Sequence, residues 1–91
     1  MLRSRFDIDS DDEFVYIEDT GEGMSVTNDA ENVVHYLHDE GFLDAGHHIL
    51  YRDTDGSWDE LEHDEGEFSG FGPIGARTRD GAARVWRERH R

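Results

Sequence analysis

The sequence predicts an α+β fold: a small antiparallel sheet of about four or five strands, built from an N-terminal hairpin and a C-terminal meander, with one well-defined helix and a second helix at the C-terminus. Three observations carry this. Short β-branched and aromatic runs alternate with Asp- and Gly-rich turns. Residues 28–40 place apolar side chains at helical spacing, and the end of the chain repeats that spacing with arginine on its polar side.

Taken in order, Phe6 and Ile8 alternate with Arg5, Asp7 and Asp9, Ser10-Asp11-Asp12 reads as a turn, and Phe14-Val15-Tyr16-Ile17 forms the second arm of a hairpin. That second run is apolar on both faces, as in a strand covered from both sides. Asp19-Thr20-Gly21-Glu22-Gly23 breaks regularity. Thr27 or Asn28 can cap a helix, with Glu31 completing a capping box, and Ala30, Val33, Val34 and Leu37 give it one apolar face. Gly41 supplies a left-handed stop, after which Phe42 and Leu43 fold back on the helix.

Beyond Asp44-Ala45-Gly46, His48–Arg52 reads as a strand, Asp53–Gly56 as a tight turn and Ser57–Glu62 as the antiparallel partner. A turn at Asp64-Glu65-Gly66 leads to Phe68-Ser69-Gly70-Phe71, where strict alternation puts Phe68 and Gly70 on one side and Ser69 and Phe71 on the other. Pro73 ends that strand. Thr78 or Asp80 can cap a last helix carrying Ala82, Ala83, Val85 and Trp86 opposite Arg84, Arg87 and Arg89, with Gly81 weakening its first turn.

A length of 91 residues suits one domain, 1–91, in which the basic segment 76–91 is the part open to fraying. Hydrophobic residues make up 34% and charged residues 35%, which approaches the composition of disordered chains. Two Trp, three Tyr and five Phe argue instead for a folded unit with a thin core. There is no cysteine, so disulfides and thiol chemistry are excluded, and His, Asp and Glu are left for metal or acid–base work. No run of apolar residues is long enough to cross a membrane as a helix, and a cytoplasmic location is expected.

Twenty-three acids face nine bases, all arginine, for a net charge of −14. Such a charge opposes compaction in dilute salt and is screened in molar salt, where the Debye length is about 3 Å. The Asp-rich, lysine-free composition resembles that of cytoplasmic proteins from salt-in extreme halophiles, and the resemblance implies that the acids are a solvent adaptation. Within the chain, six of the nine arginines lie in the last 24 residues. A basic end on an acidic body either folds back or engages something anionic.

Several motifs invite a function. Gly70-Phe71-Gly72-Pro73-Ile74-Gly75 has dinucleotide-fingerprint spacing, but Pro73 sits inside the turn and too little chain follows for a second parallel strand. Asp53, Asp55, Gly56, Asp59 and Glu62 match part of a calcium loop, yet Tyr51 stands where the first carboxylate belongs, so a hairpin turn is expected. Glu31, His35 and His38 share a helical face and form the alternative, metal-binding reading. Arg84, Arg87 and their neighbours beside Trp86 form a further alternative, weak nucleic-acid binding.

No nucleophile motif is present, and so short a chain has little room for a pocket. The expectation is therefore a non-enzymatic protein without a cofactor, acting through contact with another protein or with itself. Trp58, Phe68, Phe71, Trp86, Arg84 and Arg87 are the expected contact residues.

Overall fold

The computed structural model describes residues 6–19, 27–43, 47–53, 55–64 and 66–90. Phe6–Ser10 (β1) and Phe14–Asp19 (β2) pair antiparallel, with Ile8 opposite Ile17. Asp11 holds the turn between them. Its Oδ1 accepts from the backbone N–H of Glu13 (2.8 Å) and Phe14 (2.7 Å), and its Oδ2 from the Tyr16 hydroxyl (2.9 Å). Burial, and then that bond, push the Tyr16 phenol up to about 12, so it remains a donor.

Thr27–Asp39 (α1) follows β2 and leads to His48–Arg52 (β3), Trp58–Asp64 (β4), Glu67–Pro73 (β5) and Arg79–Arg89 (α2). The five strands lie in sequence order in one sheet. The fold is α+β as expected, and the sheet is mostly antiparallel, with one correction: β2 and β3 run parallel, Val15 beside Ile49 and Ile17 beside Tyr51. The cause is the intervening helix. At about 1.5 Å per residue α1 carries the chain about 20 Å back along the sheet, so the next strand starts from the same end as the last.

Alternation in the strands divides the apolar residues between two cores. Val15, Ile17, Ile49, Tyr51 and Leu61 face α1 and meet Val33, Val34, Leu37 and Leu43. Phe14, Tyr16, Leu50 and Trp58 face the opposite way and meet Ile74, Ala82, Ala83 and Trp86. This explains why β2 is buried nearly throughout. At the far end of α1, Gly41 adopts φ +81°, Phe42 N–H donates to Leu37 O (2.9 Å) and Gly41 N–H to His38 O (3.2 Å). That pair is a Schellman stop, and it turns Phe42 and Leu43 back onto the helix as the sequence predicts.

A second correction concerns β5. Its register against β4 shifts between Glu62 and His63, where Glu62 pairs with Gly70 and His63 with Phe68. Ser69 is the extra residue of this bulge, and strict alternation fails there. Phe68 and Phe71 consequently share a face, with ring centroids 5.2 Å apart. Gly70 and Gly72 lie against the Glu60 and Glu62 side chains, which is the structural use of the glycine-rich stretch.

The C-terminal helix starts one residue after Thr78, whose hydroxyl accepts from Gly81 N–H (3.0 Å). A Cβ at position 81 would lie 2.8 Å from that hydroxyl, so the glycine that weakens the helix on propensity admits its cap. Thr78→Ala is expected to lower the stability by about 1 kcal/mol, checked by urea unfolding. The expected break at Thr20–Gly23, the Asp44–Gly46 turn, the Thr27, Asn28 and Ala30 side chains, Glu65 and Arg91 lie outside the described residues.

Candidate functional site

The strand order leaves two sheet edges, β1 and β5, and the residues on them differ. β1 reads Phe-Asp-Ile-Asp-Ser, and Arg79 closes over it with an ion pair to Asp9 (2.9 Å). Charged side chains on an edge discourage pairing with another chain. β5 reads Glu-Phe-Ser-Gly-Phe-Gly-Pro and has one charge, at its start. Phe71, 42% exposed, is the one exposed large hydrophobic residue among those described, and it rests on half-buried Phe68. Opposite Phe71 in the ladder is Leu61, so the phenyl ring continues the α1-side core out to the rim of the sheet.

The other expected contact residues are placed differently. Trp58 is 1% exposed and Trp86 8%, both inside the chain's own second core, so neither indole forms an exposed surface. Arg87 bonds Glu13 through Nε (2.9 Å) and Nη2 (2.6 Å) and lies over the Phe14 ring. Arg79 joins Glu18 (2.6 Å) as well as Asp9, Arg77 donates to the Asp55 carbonyl (2.8 Å), and Arg89 to the Pro73 carbonyl. Arg84 is exposed on the outer face of α2. The basic segment is thus a set of tethers between α2 and the acidic body, and a row of guanidiniums facing outward for phosphate is not present among these.

Glu31, His35 and His38 are all exposed on α1. His38 packs against Gly66 of the β4–β5 turn and lies 3.9 Å from Asp39. Among the described residues no three His, Asp or Glu side chains are grouped to hold a metal ion. The calcium-like stretch is a hairpin turn: Gly56 N–H donates to Asp53 O (3.0 Å), and Asp55 Oδ1 takes both the N–H (2.9 Å) and hydroxyl (2.6 Å) of Ser57. Burial, with Asp53 and Asp55 adding repulsion, raises Asp59 above the usual carboxylate range.

A group that the sequence did not single out gathers around Trp86. Its Nε1–H donates to Glu60 Oε2 (2.8 Å), and its ring lies 4.0 Å from the His48 imidazole and 4.1 Å from that of His90. Glu60 is 12% exposed, and His90 Nε2 stands 3.6 Å from its other oxygen. Only the spacing of Trp86 and His90, one helical turn, was visible in the sequence.

An α+β sheet with one helix over each face and an aromatic edge that no further described strand pairs is the class of structure these features define. No family profile, curated protein or solved structure matches the chain. Among the described residues no helix is long and apolar enough to cross a membrane.

Proposed function

We propose that this chain is a non-catalytic, salt-adapted cytoplasmic protein that acts through protein–protein contact, by pairing with a second copy of itself along the β5 edge. One observation carries the reading: exposed Phe71 lies on β5, the edge strand whose own sequence has a single charge, at its start. An edge strand offers unpaired backbone donors and acceptors, and two identical edges related by a two-fold axis satisfy each other. Phe68 and Phe71 would supply the apolar centre of that contact, and its rim would be the acidic surface. The net charge of −14 opposes the approach of two copies and makes it dependent on screening.

Sedimentation at high micromolar protein in ~2 M potassium chloride, where the Debye length is only a few Å, is expected to show a dimer that dissociates as salt is removed. Phe71→Asp should abolish it, and Arg84→Ala, on the far side of α2, should leave it intact. A purely monomeric protein in concentrated salt would overturn the proposal, as would a dimer indifferent to Phe71→Asp.

A further inference from the structure

We infer that α2 is a proton-sensitive latch, held shut by a neutral His48 beneath Trp86 and released when that imidazole takes up a proton. His48 stands at the start of β3 on the α2 face of the sheet, half-buried, with Phe14 on one side (6.3 Å between ring centroids) and the indole on another (4.0 Å). The rest of the latch comes from other elements. β4 supplies Glu60, which accepts the Trp86 N–H, and α2 supplies His90, stacked on the indole with its ring 6.5 Å from His48. Before β2, Glu13 holds Arg87 of the same helix.

These groups pull on the His48 proton in opposite senses. Glu60 and Glu13 favour the imidazolium, whereas burial, His90 and His63 oppose it, and burial is the largest influence, leaving His48 below the ordinary histidine range. A base that binds its proton less readily when folded favours the folded form at high pH. The helix is therefore held fully above about 6.5, the unfolded value, and the hold weakens as pH falls below it. Release of one latch proton-coupled in this way changes the opening equilibrium by up to about tenfold per pH unit.

The consequence is an exposed face. Beneath α2 lie Phe14, Tyr16, Leu50 and Trp58, a contiguous aromatic and aliphatic surface that the closed helix covers. Arg79 ties the start of α2 to Asp9 and Glu18, and at the Trp86–His90 end Arg87 on Glu13 and Arg89 on the Pro73 carbonyl must let go together with the indole.

Hydrogen exchange on the full chain at low micromolar concentration and constant high salt tests this, with rates corrected for intrinsic pH dependence. Between pH 7.5 and 5.5, with the range set by the histidine value, protection of the Ala82–His90 amides should fall several-fold while β2 and β3 amides hold theirs. In His48→Gln the fall should vanish. Equal pH dependence in that variant, or flat α2 protection in the wild type, would overturn the latch. Should His48→Gln not fold, an NMR titration of the wild-type imidazole decides: titration of His48 at or above 6.5 overturns the proposal and titration below it supports it. The measurement is made on monomer and stands independently of self-association.

Discussion

Trp86→Ala is expected to cost about 3–5 kcal/mol, a large share of the roughly 5–10 kcal/mol available to a domain of this size. Two losses combine. The indole is the largest side chain α2 brings to the second core, where it meets Phe14 edge-on (5.3 Å between centroids) and both imidazoles. Truncation leaves a cavity between helix and sheet, because Ala82 and Ala83, the other buried residues of α2, are too small to fill it. It also removes the donor that Glu60 bonds, leaving a nearly buried carboxylate short of a partner. Trp86→Phe separates the two, keeping most of the packing and losing the hydrogen bond. Urea unfolding of both variants should place Phe well above Ala, and equal midpoints would show that the Glu60 bond, and not the cavity, is decisive.

Gly66→Ala is the second large effect, and it arises from a residue with no side chain. Gly66 has φ +86°, a conformation that costs other residues about 1–2 kcal/mol. An added Cβ would also lie 2.5 Å from His38 Cγ and 2.9 Å from His38 Cβ. Those atoms are the root of the side chain, so α1 or the β4–β5 turn must move, at about 1–3 kcal/mol for overpacking. His38→Ala in the same chain should recover the part of the overpacking that comes from the ring, and leave the 2.9 Å contact with Cβ and the conformational part. Thermal unfolding of the two single variants and the double variant measures this coupling, and strict additivity would contradict the contact.

His38 shows how function and packing are confused in a sequence. One helical turn from His35 and two from Glu31 it has the spacing of a metal ligand, yet its place against Gly66 depends on a turn 28 positions later in the numbering. The arginines are a similar case. Their clustering was visible as composition, but Arg79 reaches Glu18 across a separation of 61 residues and Arg87 reaches Glu13 across 74. No local pattern records such distances. Trp58 and Trp86 drew attention as large aromatics in a chain with few apolar residues, and that scarcity is why the fold buries both.

What the sequence by itself determined was local: four or five short strands and two helices, the Gly41 stop, a cap at Thr78 or Asp80, the tight turn after Arg52 and the two-sided burial of Phe14–Ile17. Each follows from periodicity or from backbone chemistry within a few residues. Tertiary structure decided the parallel pairing of β2 with β3, the bulge that places Phe68 beside Phe71, which strands stand at the edges, and the company of Trp86. These depend on where helices return the chain and on which distant side chains then meet, and alternation along one strand carries no information about either.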